Sequence, residues 1–203
     1  MTGIVLIRHP EVAEAYRGIC YGRLDVSLSE RGDAQIADIV ASLDSVTAVV
    51  HSGLGRARLL AEAIAQRFGV APSVDARLAE RGFGVWEGRS WDDIYAETGD
   101  AMIGMVSDPA TWHPPGGETT FQLRDRVLAW YREQTSPVVV VTHGGPIAAL
   151  LGTLGGHPVE AWPGFVPPCG ASRWCHCRPA ANLGISGDLI SRHFGPDGHT
   201  PFG

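Results

Sequence analysis

The 203-residue sequence predicts an α/β fold with a largely parallel central sheet that is covered by helices on both faces. Short Val/Ile/Leu runs, typical of strands buried on both faces, alternate with segments of helical period. Two of these runs, at residues 4–10 and 138–145, each lead into a histidine and then break at Pro or Gly. Because ligands bind beyond the carboxyl ends of parallel strands, His9 and His143 predict a shared site at one edge of the sheet.

The individual elements follow from apolar spacing. Strands are predicted for the apolar runs at residues 3–8, 47–50, 72–75 and 138–141. Helices are predicted for the segments that contain residues 36–43, 57–68, 91–97, 118–131 and 146–154. Residues 171–177 and 183–194 predict a terminal antiparallel pair, and the Gly/Pro-rich tail at 195–203 is expected to be flexible. No linker or repeat interrupts the chain, so we predict one domain over residues 1–203.

The predicted helix ends depend on capping chemistry. Ser29 is placed as the N-cap of the first helix, and Gly69 ends the second. Glu118 is expected to open the fourth helix, because a negative charge in the first turn agrees with the helix dipole. Pro146 is expected to start the fifth.

The composition excludes several classes of function. The formal net charge of −6 and the absence of any basic run argue against nucleic-acid binding. All 16 basic residues are Arg, so no P-loop lysine or Schiff-base lysine is present. No segment reaches the roughly 18 apolar residues of a membrane span, and none resembles a signal peptide. We therefore expect a cytoplasmic protein without a membrane partner, whose four cysteines are free thiols.

Positive charges and backbone amides accompany the two histidines. Arg8 directly precedes His9, and Arg56 and Arg58 lie at the start of a helix that follows the second strand. Arginine side chains and the free amides of a helix N-terminus both favour anions. These residues together predict a pocket for a phosphate dianion.

Two mechanisms fit such a pocket. In the first, a neutral histidine attacks phosphorus and carries the phosphoryl group covalently, and no metal is required. In the second, the histidines bind a metal ion that activates water. The metal alternative calls for H-x-x-x-H or H-x-D spacing, and the sequence contains neither. We therefore favour the first mechanism and expect no metal and no cofactor.

The covalent mechanism also needs a proton donor for the leaving oxygen. A carboxylic acid beside bound anions can stay protonated near neutral pH. Glu80 is the candidate, although residue chemistry alone barely separates it from Glu87 and Glu118.

A cysteine cluster near the carboxyl end suggests a different site. Cys175-His176-Cys177, with Cys169 and His157, offers zinc-type ligands. Adjacent residues of a strand point to opposite faces, so His176 cannot converge with the two cysteines that flank it. No C-x-x-C spacing is present, and we predict a structural strand with buried thiols.

Five motifs resemble, in the same order, those of the histidine phosphatase superfamily, which includes the phosphoglycerate mutases. As they stand in this sequence they are RHP at 8–10, YGRLDVSLSERG at 21–32, SGLGRA at 52–57, LAE and FGVWEG between 78 and 88, and THGG at 142–145. The resemblance implies a three-layer αβα sandwich of the phosphoglycerate mutase type with a mostly parallel central sheet.

The same resemblance implies a role for each site residue. His9 would be the phosphorylated nucleophile, and Glu80 would act first as acid and then as the base that activates water. The groups that would bind the phosphoryl group are Arg8, Arg56, His143, Gly144 and Gly22. The expected partner is a small phosphorylated metabolite.

This chain departs from the family pattern at two positions. Pro10 replaces the glycine that follows the nucleophile, which removes an amide donor. Ala15 stands where the family usually has an asparagine. These departures leave open a phosphate-binding or scaffold protein without turnover, and a phosphoglycerate mutase is a second alternative.

Further motifs bear on the substrate. CYGRLD at 20–25 and PGGE at 115–118 look most like the α-ribazole phosphatase branch of cobalamin biosynthesis, which makes α-ribazole 5′-phosphate a candidate. Residues 79–118 correspond to the variable insertion that shapes the substrate mouth. The tryptophans of this insertion would either stack on an aromatic base or pack in the core, and they are Trp86, Trp91 and Trp112. A homodimer is common in related folds, but nothing in the sequence marks an interface.

Overall fold

The computed structural model describes residues 3–176, which form the predicted α/β fold. The strands are β1 (Gly3–Arg8), β2 (Val49–His51), β3 (Pro72–Val74), β4 (Val138–Thr142) and β5 (Ser172–His176). They form one sheet in the order β3-β2-β4-β1-β5. Neighbouring strands are parallel except for β5, which runs antiparallel to β1.

Helices cover the sheet. They are α1 (Glu30–Ser42), α2 (Gly55–Phe68), α3 (Trp91–Thr98), α4 (Gly104–Ser107), α5 (Thr120–Arg132) and α6 (Gly144–Leu154). Short 3₁₀ helices occur at Glu14–Tyr16, Ala76–Leu78, Gly84–Trp86, Gly99–Ile103 and Val159–Phe165. No helix among residues 3–176 is long and apolar enough to cross a bilayer.

Alternate side chains of β1 pack into two different hydrophobic clusters. Ile4 and Leu6 pack in a cluster with residues of α5 and α6. Val5 and Ile7 pack in a second cluster with residues of α1 and α2. Successive strand residues point to opposite faces, so each face of the sheet carries its own helical layer. The expected three-layer αβα arrangement is confirmed.

The predicted caps are confirmed at α1 and α2. The Ser29 hydroxyl accepts a hydrogen bond from the Gly32 amide at 2.9 Å. Gly69 ends α2 with a positive φ of 68°, a conformation that favours glycine.

Two predicted helix starts are wrong. The helix α5 begins at Thr120, because Thr119 and Gln122 form a reciprocal capping box and leave Glu118 outside the helix. The helix α6 begins at Gly144 rather than at Pro146, with His143 as its N-cap residue.

The carboxyl-terminal predictions are tested only in part. Residues 172–176 form a strand, but its partner is β1. The predicted strand at 183–194, the tail at 195–203 and Cys177 lie outside the described residues. The boundaries of one domain over residues 1–203 stay a prediction.

Candidate active site

The carboxyl ends of β1 and β4 lie side by side, which brings the two histidines together. Arg8 pairs with Thr142 in the parallel ladder, and the His9 amide donates to the Thr142 carbonyl at 2.9 Å. The ring centroids of His9 and His143 are 5.2 Å apart. Both imidazoles are almost fully buried.

A backbone carbonyl fixes the tautomer of His9. Nδ1 of His9 lies 2.7 Å from the carbonyl oxygen of Pro10. A carbonyl oxygen can only accept a hydrogen bond, so Nδ1 carries the ring proton. Nε2 of the neutral ring therefore keeps its lone pair.

Burial keeps both histidines neutral. Burial, followed by the charge of Arg56, lowers the pKa of His9 to about 3, and the hydrogen bond to Pro10 offsets only part of this effect. Burial and the neighbouring charge of Arg56 hold the pKa of His143 well below its usual 6.5. A neutral imidazole is the form that can act as a nucleophile.

Arg8 and Arg56 supply positive charge to this pocket. Arg56 is fully buried and donates to the carbonyl oxygens of Leu24 at 2.7 Å and Gly22 at 2.6 Å. Arg8 donates to the carbonyl oxygen of Pro167 at 2.8 Å. Within residues 3–176 neither arginine forms an ion pair, and the Nε atom of each is buried without a hydrogen-bond partner. Arg56 is fully buried and Arg8 is half-buried, and cations withdrawn from water without a carboxylate partner favour an incoming anion.

Ser52 positions the second histidine. Its Oγ lies 2.7 Å from Nε2 of His143, and both side chains are buried. Nδ1 of His143 is buried and has no partner among the described residues. The SGLGRA motif therefore contributes two groups to the pocket, Ser52 and Arg56.

The Glu80 side chain contacts the amino-terminal end of α6, which follows directly after His143. The Gly145 amide donates to its Oε2 at 3.4 Å, and the Arg81 amide donates to its Oε1 at 2.8 Å. A Cβ at position 145 would overlap the Glu80 carboxylate, so glycine is required for this approach. The sequence prediction missed Gly145, and the signal for it was the second glycine of THGG.

The other two candidate acids have structural contacts. Glu87 accepts hydrogen bonds from the amides of Arg23 at 3.1 Å and Phe83 at 2.9 Å. Glu118 pairs with Arg126 at 2.6 Å and accepts from the Gly82 amide at 3.0 Å. Tertiary structure, unlike residue chemistry, separates Glu80 from both.

Arg126 is a residue that the sequence prediction missed. Its guanidinium donates to the carbonyl oxygens of Arg77 at 2.6 Å and Glu80 at 3.0 Å, in addition to the Glu118 pair. These contacts hold the backbone on both sides of Leu78. Thr142 also holds this segment, since its hydroxyl donates a hydrogen bond to the Leu78 carbonyl at 2.6 Å.

The two predicted phosphate-binding glycines have different structural settings. The Gly22 carbonyl holds Arg56, and a Cβ at Gly22 would lie 2.5 Å from Glu87 Oε1. A Cβ at Gly144 would lie 2.9 Å from Val166 Cγ1, a contact too short for any side chain to fit. Both positions therefore need glycine for close packing around the pocket.

An apolar cleft of about 370 Å³ opens next to Glu80, within the size range of small-ligand sites. Glu80, Gly145 and Gly22 form part of its lining. The cleft therefore borders the histidine pocket, since Gly145 follows His143 by two residues and the Gly22 carbonyl accepts from Arg56. Large apolar side chains dominate the rest, including Phe83, Trp91, Met105, Leu123, Trp162 and Val166.

Other candidate residues lie away from the pocket. Arg58 pairs with Glu62 at 2.9 Å on the surface. Trp86 is buried in a cluster with Cys20 and Ile94, and Trp112 packs against that cluster, so core packing accounts for both.

Further candidates also have structural contacts. Nδ1 of His51 lies 3.1 Å from the Gly53 amide, and it shapes the turn after β2. Cys175 is buried in β5, and residues 3–176 contain no group of three or more His, Cys, Asp and Glu side chains arranged to hold a metal ion.

Comparison with known proteins matches this geometry to a family. The family model described as "Histidine phosphatase superfamily (branch 1)" matches residues 4–179. The chain belongs to the histidine phosphatase superfamily. The match extends over both histidine motifs and the whole sheet.

Individual relatives agree with this assignment. The chain is 35% identical to a glucosyl-3-phosphoglycerate phosphatase of Mycolicibacterium vanbaalenii, covering 92% of this chain and 90% of the relative. It is 32% identical to a probable phosphoglycerate mutase, GpmB, of Salmonella choleraesuis, covering 80% and 78%. The solved structure of a mycobacterial glucosyl-3-phosphoglycerate phosphatase superposes with a TM-score of 0.74 at 30% identity, covering 85% of this chain and 89% of that one. None of these three is an α-ribazole phosphatase, so that branch stays a prediction.

Proposed function

We propose that this histidine phosphatase superfamily member hydrolyses phosphomonoesters of small metabolites through a phosphohistidine on His9. The observation that carries the proposal is the hydrogen bond from His9 Nδ1 to the Pro10 carbonyl, which leaves Nε2 as a free nucleophile. Buried Arg56 and half-buried Arg8, neither with a carboxylate partner within residues 3–176, accompany it. Pro10 lacks the amide of the family's glycine but keeps the carbonyl that orients the ring.

In the first chemical step, the Nε2 lone pair of His9 attacks phosphorus and the bond from phosphorus to the substrate oxygen breaks. Arg8, Arg56 and His143 stabilise the charge on the transferring phosphoryl oxygens. Glu80 acts as the acid: its carboxyl group gives a proton to the leaving alkoxide and becomes a carboxylate.

In the second step, the Glu80 carboxylate takes a proton from water as the water oxygen attacks phosphorus. The bond from phosphorus to Nε2 breaks, inorganic phosphate leaves, and His9 returns to its neutral form. Glu80 is again protonated, so the cycle closes without an external reductant or oxidant.

The proposal includes independence from metal ions. The positive charge that a metal would supply comes from Arg8 and Arg56. We expect hydrolysis to be unchanged after exhaustive treatment with EDTA. A loss of activity that Mg²⁺, Mn²⁺ or Zn²⁺ restores would contradict this part of the proposal.

The relatives favour two substrate families. Similarity to glucosyl-3-phosphoglycerate phosphatases supports hydrolysis, and similarity to GpmB supports a phosphoglycerate mutase as the second candidate. A mutase returns the phosphoryl group to substrate, whereas a phosphatase passes it to water. Measurement of phosphate release and of 3- to 2-phosphoglycerate conversion in one assay separates them. A substrate panel should also contain glucosyl-3-phosphoglycerate and α-ribazole 5′-phosphate.

The nucleophile is tested by His9→Asn. We expect hydrolysis of p-nitrophenyl phosphate to fall by more than about 10³-fold. Labelled substrate quenched into alkaline denaturant should label the wild-type chain at a base-stable, acid-labile site, and should not label His9→Asn. The matched control is His113→Asn, an exposed histidine outside the pocket. Near wild-type turnover by His9→Asn would overturn the mechanism.

The acid is tested by Glu80→Gln on two leaving groups. An alkyl alkoxide needs protonation, whereas p-nitrophenolate leaves readily without it. We expect kcat to fall about 10²- to 10⁴-fold with an alkyl phosphate and clearly less with p-nitrophenyl phosphate. Equal losses with both substrates would remove Glu80 from the acid role.

A further inference from the structure

The apolar cleft beside Glu80 is where the alcohol part of a phosphomonoester would lie once its phosphate reached His9. Glu80 is the proposed donor to the leaving oxygen, and its side chain lines the cleft together with Gly145 and Gly22. The first atoms beyond the scissile oxygen therefore enter this space.

Aromatic and aliphatic side chains form rigid walls of the apolar cleft. Phe83 and Trp91 pack edge to face, with ring centroids 5.4 Å apart. Trp162, which also lines the cleft, is anchored because its indole N–H donates to the His157 carbonyl at 3.0 Å. Gly152 leaves room for that indole, since a Cβ there would overlap it.

Most hydrogen-bonding capacity of the polar side chains in the wall is already used. Arg81 donates to the Thr120 hydroxyl at 2.9 Å and to the Glu118 carbonyl at 3.0 Å, while its Nε is buried and has no hydrogen-bond partner within residues 3–176. The Thr120 hydroxyl donates in turn to the Met105 carbonyl at 2.6 Å. The other polar side-chain groups of the lining are the Glu80 carboxylate, which accepts from two backbone amides, the Tyr21 hydroxyl and the Trp91 indole N–H, and the last two belong to aromatic rings. The lining thus offers few partners for a polyhydroxylated ligand.

Short side chains of α6 leave the cleft open. Ala148 and Ala149 line it, and both are buried. Sugar hydroxyls placed against such walls lose water without gaining hydrogen bonds, which is costly. Apolar groups in the same place gain from leaving water.

We infer that the preferred substrates carry an apolar alcohol, a long alkyl or aryl-alkyl group, rather than a sugar or glycerol. This inference rests on the proposed phosphatase function, because it assigns the leaving group of that same site. The phosphate supplies the charge that the arginines recognise, and the apolar cleft supplies the discrimination between alcohols.

The test uses substrates with the same kind of leaving group. Ethyl, butyl, hexyl and 2-phenylethyl phosphates, sn-glycerol 3-phosphate and glucose 6-phosphate are all esters of primary alcohols. We expect kcat/KM to rise about three- to fourfold for each added methylene until the cleft is filled. Hexyl phosphate should exceed glucose 6-phosphate by at least about tenfold. A flat series, or a preference for the hydroxylated esters, would overturn the inference.

Binding gives a readout that needs no turnover. Hexylphosphonate and methylphosphonate, which cannot be hydrolysed, are titrated into the wild-type chain by calorimetry. Tighter binding of hexylphosphonate with no hydrolysis of any ester keeps the cleft assignment and rejects the proposed function. Hydrolysis without chain-length preference keeps the proposed function and rejects the cleft assignment. Absence of both binding and hydrolysis rejects the function and the cleft assignment together.

A matched pair of methionine variants tests whether the chain-length preference arises in the apolar cleft. Met105 lines the apolar cleft, whereas Met102 is equally half-buried but packs against the cluster of Cys20, Trp86 and Ile94. We expect Met105→Gln to reduce the hexyl-to-ethyl ratio of kcat/KM at least about threefold, and Met102→Gln to leave it unchanged. Equal effects of the two variants would contradict the placement of the alcohol in this cleft.

Discussion

Glu118 and Arg126 form a largely buried ion pair, 2.6 Å apart, that clamps the backbone leading into and out of Glu80. Their side chains are only 13% and 16% exposed, whereas the Arg58–Glu62 pair on the surface is about half exposed. Burial opposes ionisation of Glu118, but the hydrogen bond and charge of Arg126 outweigh it and lower the pKa of this carboxyl. The pair is therefore charged at neutral pH.

The variant Glu118→Gln tests this clamp. Loss of the charge leaves Arg126 buried with a weaker partner, so we expect a stability loss of about 1–3 kcal/mol in urea unfolding. We also expect a lower kcat, since the backbone of Glu80 is less firmly placed. The control Glu62→Gln removes the exposed pair and should change stability by less than about 1 kcal/mol. Similar losses in the two variants would show that the buried pair has no special role.

Pro10→Gly restores the residue that the family usually has after its nucleophile. The carbonyl that holds Nδ1 of His9 is part of the backbone and remains. We expect kcat/KM for p-nitrophenyl phosphate to stay within a few-fold of wild type. Stability should fall by about 0.4–1 kcal/mol, because glycine gives the unfolded chain more freedom. A rise in kcat/KM above tenfold would show that the missing amide limits the wild-type enzyme.

The buried histidine pair makes stability depend on pH. The pKa of His9 is about 3 and that of His143 is well below 6.5, with burial as the main cause in both. Below about pH 6.5 an unfolded histidine binds a proton that the folded pair does not take up. Stability is therefore highest above pH 6.5 and falls as pH drops toward 3, by up to about 1.4 kcal/mol per pH unit for each histidine.

Urea unfolding at pH 7, 6 and 5 measures this dependence. We expect the loss between pH 7 and 5 to be smaller in His143→Asn than in wild type, because one buried imidazole is gone. His113→Gln, which changes an exposed histidine, should keep the wild-type slope. An unchanged slope in His143→Asn would mean that this imidazole does not resist protonation in the folded state.

Gly152→Ala tests the packing of the Trp162 indole against α6. Alanine is the better helix former, which alone would stabilise α6 by about 1 kcal/mol. The added Cβ would overlap the Trp162 indole, and overpacking of this kind costs about 1–3 kcal/mol. We expect a net loss in urea unfolding together with weaker hexylphosphonate binding. Gly164→Ala, where a Cβ meets open space, is the control, and a stabilised Gly152→Ala would contradict the prediction.

Local rules predicted most of the scaffold. The burial of β1 on both faces, the Ser29 cap and the Gly69 terminus all follow from neighbours in sequence. The sequence prediction placed the start of α5 at Glu118, because Glu118 and Thr119 both offer an acceptor for the free amides of the first turn. In the structure the Thr119–Gln122 capping box forms the helix end, so α5 begins at Thr120. The antiparallel partner of β5 was also missed, since strand pairing depends on contacts between distant segments.

The site was predicted as a set of residue types but not as an arrangement. Sequence motifs gave both histidines and both arginines. Residue chemistry alone did not separate Glu80 from Glu87 and Glu118, and the resemblance to the family motif was needed to favour Glu80. In the structure Glu80, unlike the other two, lines the cleft. The lining of the apolar cleft comes from seven separate stretches of chain and has no sequence signature.

The adjacency of β1 and β4 has a consequence for biogenesis. Most of the chain lies between the two pairing strands, so their contact closes a long loop and has a high contact order. A nascent chain released before β4 has the nucleophile but lacks its electrostatic partner. Turnover during refolding is then a reporter of global topology, because it appears only once this non-local pairing has formed.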